Sequence, residues 1–162
     1  MTKSITNEEL IQFLMRAKSQ TYAAGGGASS SAVTPLLTNS HQLDFRAGEL
    51  LYRDIYFGQA FFAGLESVYY KDDVIWSMCY AGGWTDQLTA EDDTGQLGHV
   101  LQNALKEVPF EYPFRGPRAY AEAGYQYLNS PSGEVQRFSG VENISRDNII
   151  VYELHYSGGK IA

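Results

Sequence analysis

The chain has 162 residues, long enough for one domain with a sizeable core, and a net charge of −7 with no basic stripe. Such a surface repels a phosphate backbone, so no nucleic acid is expected to be bound directly. Cys79 is the single cysteine, which excludes an internal disulfide and a cysteine-based zinc site, and the three histidines are scattered, so neither a metal nor a cofactor is expected.

In chain order, Thr6-Asn7-Glu8-Glu9 has the form of a capping box, in which the threonine hydroxyl and the glutamate side chain each take a free backbone N–H. Leu10, Phe13, Leu14 and Ala17 follow at i, i+3, i+4 and i+7 and predict an amphipathic helix with one buried stripe. The Gly/Ser run from Ala23 to Ser31 comes after a helix. A phosphate cradle needs the opposite order, a strand leading into a helix N-terminus, so a surface loop is expected. Strands are predicted over Tyr52 to Gly58, Phe62 to Val68 and Val74 to Gly83. In the last of these, Val74, Trp76, Met78 and Tyr80 share one face and should pack on helices; Ile75, Ser77 and Cys79 share the other, which should meet solvent, a partner or a cleft. A second helix follows Thr94, with Leu97, Val100, Leu101 and Ala104 as its stripe. Phe114-Arg115-Gly116-Pro117 reads as a tight turn, and three more strands close the chain.

The second half repeats the first. Both helix stripes superimpose at an offset of 87, Tyr52 to Gly58 matches Tyr127 to Gly133 at 75, and Phe62 to Gly83 matches Phe138 to Gly159 at 76, with six identities in 22 positions. The drop from 87 to 75 places 12 extra residues between helix and strand of the first copy, where the Gly/Ser run lies. The expected fold is therefore α+β: a single domain, 1–162, formed by duplication of an α-β-β-β(-β) unit, with antiparallel sheet or sheets packed on two helices about a pseudo-twofold. Repeat one is expected at about 6–84, with an insertion at about 24–40, and repeat two at about 94–161.

The duplication isolates a carboxylate among apolar neighbours twice. Phe62, Gly64, Glu66 and Val68 share a face, as do Phe138, Gly140, Glu142 and Ile144. A carboxylate taken out of water needs partners or holds its proton more tightly. Each glutamate should either cap backbone amides or pair with an arginine in its own copy, or both should line one cavity near the pseudo-twofold. The preceding glycine leaves room beside it, or space for a large aromatic.

Taken in order, Phe13-Leu14-x-x-Ala17-Lys18-x-x-Thr21-Tyr22-Ala23, Tyr52-x-Asp54-x-Tyr56-Phe57-Gly58, Phe62-x-Gly64-x-Glu66, Ile75-Trp76-x-Met78-x-Tyr80-x-Gly82, Phe114-Arg115-Gly116-Pro117, Phe138-x-Gly140-x-Glu142-x-Ile144 and Val151-Tyr152-Glu153-x-x-Tyr156-x-Gly158-Gly159 span nearly the whole chain. The series resembles an uncharacterised bacterial domain family of unknown function whose members stand alone or follow a helix-turn-helix segment of the lambda-repressor type. The resemblance implies no activity and no catalytic residues. No DNA-binding helix pair is recognised in this chain.

The function expected is a small-molecule binding or sensing module with a ligand cleft between the repeats, a putting-together of aromatic walls and a few polar groups. Its candidate ligand-binding residues are Asp54, Tyr56, Glu66, Trp76, Tyr80, Arg115, Glu142, Tyr152, Glu153 and Tyr156. The glutamates would hold a cationic or hydrogen-bonding ligand beside aromatic rings; Arg115 would clamp a carboxylate or pair with one of the glutamates. One alternative is a carboxylate-dependent enzyme, although symmetry gives the glutamates similar surroundings, which opposes a division into acid and base. No nucleophile elbow, zinc motif or phosphate loop is present, so no catalytic residue is named. Cys79 and His155 hold equivalent places in the two copies and read more simply as unrelated side chains than as a thiol–imidazole pair. The other alternative is an interaction module, with a homodimer as its simplest form. With no apolar run of membrane-spanning length and no signal peptide, a cytoplasmic location and no membrane partner are expected.

Overall fold

Helix α1 (Asn7–Gln20) starts at a capping box: the Glu9 N–H donates to the Thr6 hydroxyl at 3.2 Å and the Thr6 N–H to the Glu9 carboxylate at 2.9 Å. Its stripe of Leu10, Phe13, Leu14 and Ala17 is buried. Helix α2 (Thr94–Lys106) is capped by Asp93 rather than Thr94; Asp93 accepts from the N–H groups of Gly95 and Gln96 at 2.9 and 3.1 Å. Asp93 lies 87 positions after Thr6, so the caps keep the same step as the stripes. The structure is a computed structural model and describes residues 5–25 and 31–161. The expected Gly/Ser loop lies partly outside these residues, at 26–30.

Eight strands form a single antiparallel sheet: β1 (His41–Ala47), β2 (Leu50–Gly58), β3 (Phe61–Tyr70), β4 (Asp73–Trp84), β5 (Ala119–Glu122), β6 (Tyr125–Glu134), β7 (Arg137–Arg146) and β8 (Ile149–Lys160). Their order is β1-β2-β3-β4-β8-β7-β6-β5, so two four-stranded meanders meet along β4 and β8, with Tyr80 opposite Tyr156. The expected α+β class and antiparallel sheet hold. The edge strands β1 and β5 carry no repeated motif. Turn chemistry follows the strands: Asp147 and Asn148 both take positive φ, at 49° and 64°, as a two-residue hairpin requires.

One face of the sheet carries the helices. Helix α1 lies over β1 and β2, α2 over β5 and β6, and the 3-10 turn Tyr22–Ala24 touches both helices. Trp76, Tyr52, Tyr127, Tyr152 and Phe114 are the largest fully buried side chains. Phe138 stacks on Phe114 at 3.6 Å between centroids and lies 5.7 Å from Trp76. Two strand positions depart from simple alternation. Val74, expected to pack on the helices, is exposed, as is Ile150, its counterpart 76 positions on, while Val151, the counterpart of the outer-face Ile75, is fully buried. The sheet register explains this. It skips Ile75 and Val151, which bulge between Val74 and Trp76 and between Ile150 and Tyr152, and a bulge re-aims the side chains around it. Among the described residues no helix is long and apolar enough to cross a membrane.

Candidate functional site

The two repeated glutamates are both buried, at 3 % and 0 % exposure, and each takes its partners from the protein. Lys18, from the last turn of α1, pairs with Glu66 and donates a second bond to the Phe114 carbonyl at 2.8 Å. Glu142 accepts from the Arg115 guanidinium at 2.5 Å and from the hydroxyls of Tyr127 and Tyr152 at 2.6 and 2.8 Å. Burial lowers the pKa of Lys18 below its ordinary value, against the pull of Glu66. Burial alone would do the same to Arg115, but the adjoining Glu142 carboxylate, together with Tyr152 and Tyr127, outweighs it and raises the pKa of the guanidinium above its ordinary value.

The turn bearing Arg115 is pinned from three sides. Lys18 holds the Phe114 carbonyl, the Gly116 N–H donates to the Tyr127 hydroxyl at 3.0 Å, and the Asn129 amide donates to the Gly116 carbonyl at 2.9 Å. Arg115 is thereby fixed beneath the sheet, with its guanidinium 5.8 Å from the ring centres of both Tyr22 and Tyr80. Its Nε is buried without a hydrogen-bond partner.

Beside Arg115 lies a cavity of about 320 Å³, at the lower end of the range for small-molecule sites. Its walls come from both halves of the chain: Tyr22, Asp54, Tyr56, Phe62, Tyr80 and Trp84 from the first, Gly98, Leu101 and Arg115 from the second. His41, Gly58 and Gln59 are exposed and form its mouth, with His41 stacked on Tyr56 at 5.0 Å. Asp54 is 2 % exposed and accepts from the Tyr80 hydroxyl at 2.7 Å. Burial, followed by the charge of Glu66, pushes its pKa up to about 7, while the Tyr80 bond, Lys18 and Arg115 pull the other way. In the opposite meander the Tyr156 hydroxyl makes the same bond to a neutral amide, Asn129, at 2.8 Å.

Of the ten candidate residues, Asp54, Tyr56, Tyr80 and Arg115 come together around this cavity. Glu66 lies behind it, on a void of about 20 Å³ beside Lys18, Tyr52 and Phe114. Glu142 and Tyr152 belong to the Arg115 hydrogen-bond cluster, and Trp76 and Tyr156 to the core. Glu153 points to the uncovered sheet face, where its carboxylate meets the His155 imidazole at 2.9 Å. Cys79 and His155 share a shallow recess on that face, but no hydrogen bond joins them. The cavity also uses residues that the sequence reading left aside: Tyr22, His41, Phe62, Trp84, Gly98 and Leu101. The sequence signal for Gly98 was its place inside a helix, where glycine is about 1 kcal/mol less favourable than alanine and so needs a reason. Apart from its chain neighbours and its own helix backbone, a Cβ built on it meets no atom within 4 Å.

These features define an α+β protein with one helix-covered sheet face and a partly buried, aromatic-lined cavity beneath it. Residues 54–161 match the family described as a domain of unknown function, DUF5680, and the chain belongs to that family. Comparison with curated proteins and with solved structures finds no match.

Proposed function

We propose that this protein is a small-molecule binding module and that the cavity under β2, β3 and β4, closed by α2 and Arg115, holds the ligand. The observation that carries the reading is the glycine at position 98. A helix-interior glycine faces open space in the cavity wall, although an alanine there would favour the helix. Asp54, Tyr56, Tyr80 and Arg115 are the contacts proposed from the original candidates, joined by Tyr22, Phe62 and Trp84.

The reading includes descent from a duplicated α-β-β-β-β unit about a pseudo-twofold passing between Tyr80 and Tyr156. Several features support it. The strand order mirrors itself about β4 and β8; the bulged residues Ile75 and Val151 lie 76 apart; and the bonds Tyr80–Asp54 and Tyr156–Asn129 correspond. The two halves have diverged where the cavity lies. Gly98 answers to Ile11, which packs on the core, and Asp54 answers to Asn129. Phe62 borders the cavity, whereas Phe138 is stacked on Phe114.

A thermal-shift screen of cationic, neutral and anionic metabolites tests the proposal. Ligands of the cavity should raise Tm for the wild type, and Gly98→Leu, which fills the space from the helix side, should stay folded and lose the shift. A panel without any hit, or hits indifferent to Gly98→Leu, would contradict it. The enzymatic alternative gains one specific observation, a buried carboxyl on Asp54 that exchanges its proton near neutral pH. Mass spectrometry of the bound compound separates the two: a binding module returns it unchanged.

A further inference from the structure

Around the cavity and the Arg115 turn, three buried carboxyl groups stand against two buried cations: Glu66, Glu142 and Asp54 against Lys18 and Arg115; a fourth buried carboxyl, Asp92, is paired with Arg146. Lys18 is paired with Glu66 and Arg115 with Glu142. Among the described residues, no ion pair includes Asp54. Its hydrogen bond from Tyr80 comes from a neutral donor. The surplus carboxyl is thus the one that borders the cavity.

The groups around Asp54 come from every neighbouring element. They are Lys18 from α1, Tyr22 from the 3-10 turn, Tyr52 and Tyr56 from its own strand, Glu66 from β3, Tyr80 from β4 and Arg115 from the turn before β5. His41 of β1 stands at the mouth, and α2 offers only Gly98 and Leu101 to the cavity. Arg115 is also in the wall, but its charge is matched by Glu142 and flanked by two tyrosine rings. An anionic guest would bring further negative charge to a cluster whose carboxyls already outnumber its cations. A cationic guest would supply the missing positive charge, and the rings of Tyr56, Phe62 and Trp84 would accept its apolar part.

We propose that the cavity takes a small organic ammonium ion, its positive charge set against Asp54 and its apolar portion against the rings of Tyr56, Phe62 and Trp84. The inference rests on the binding reading above and names its ligand class. Binding of the cation expels the proton that Asp54 carries in the empty cavity. Below the pH at which Asp54 ionises, one proton is therefore released per ligand bound, and affinity rises up to about tenfold per pH unit before levelling off.

Benzylammonium, benzyl alcohol and benzoate test this with one ring skeleton in three charge states; the amine stays protonated from pH 6 to 8. In calorimetric or NMR titrations, benzylammonium should bind tightest, should tighten from pH 6 to 8, and should release a proton at pH 6. Asp54→Asn should weaken it at least about tenfold and abolish the pH dependence, while leaving benzyl alcohol little changed. The Asn129 bond to Tyr156 indicates that an amide fits this arrangement, and the wild-type pH dependence needs no variant at all. Benzoate binding as tightly as benzylammonium, an Asp54→Asn variant with undiminished benzylammonium affinity, or no binding by any of the three would overturn the inference. Benzyl alcohol or benzoate binding that Gly98→Leu blocks, without benzylammonium binding, removes the ammonium reading and leaves the cavity reading standing. Failure of both these probes and the wider metabolite panel removes both.

Discussion

Asp54 is the residue whose chemistry differs most from its usual form. An unfolded aspartate ionises near pH 4, whereas burial moves Asp54 in the folded chain to about 7. Between these values the folded state keeps a proton that the unfolded state has released. Asp54 therefore makes stability fall as pH rises from about 4 to 7, with no further change above that range. The difference in unfolding free energy between Asp54→Asn and wild type, measured by denaturant titration at several pH values, should move in the variant's favour by about 4 kcal/mol between pH 4 and pH 8. A difference independent of pH would contradict the assignment. The sequence marked the two glutamates as the unusual carboxylates, and an ion pair between Arg115 and one of them was among the alternatives. The pairing of Glu66 was harder to read. Lys18 sits in the last turn of α1, where a cation is favourable for the helix dipole alone. Only tertiary packing brings it beneath β3, and Asp54 stands out only once both glutamates have taken their cations.

At the scale of elements, two kinds of glycine serve opposite purposes. Gly64 and Gly140, in β3 and β7, lie under the rings of Tyr80 and Tyr156; a Cβ at Gly140 would fall 2.2 Å from the Tyr156 ring. The repeated Phe-x-Gly-x-Glu pattern made this space legible, and the tyrosine that fills it lies across the hairpin. Gly98 in α2 has no such neighbour. Gly140→Ala should therefore destabilise the protein by at least about 2 kcal/mol through overpacking, while Gly98→Ala should stabilise it by about 1 kcal/mol through helix propensity. Denaturation midpoints of the two variants should move in opposite directions; a destabilising Gly98→Ala would show that the glycine is needed for packing rather than for space. Helix stripes and the three repeated strands were readable because their periodicity is local. The edge strands and the two bulges were not, because a bulge is a property of the pairing between strands rather than of either strand alone.

For the whole molecule, the proposed duplication indicates where divergence matters. Duplication alone would place matching contents under both meanders. Under that proposal, the differences between Gly98 and Ile11 and between Asp54 and Asn129 leave space and a surplus carboxyl under the first. The sequence directed attention to the seam between the halves, and the cavity does draw on both; its position beneath β2 to β4 depends on where α2 and the Arg115 turn pack, which offsets between repeats do not encode. On this proposal a ligand occupies the cavity rather than the uncovered sheet face. Methyl-selective NMR during titration with any compound found by the thermal screen tests it most directly, using Leu101 in the cavity wall and Val141 in the outer recess as reporters. The Leu101 methyl signals should shift with saturation while those of Val141 stay in place; a saturating shift at Val141 with Leu101 unmoved would put the ligand on the outer face and overturn the proposal.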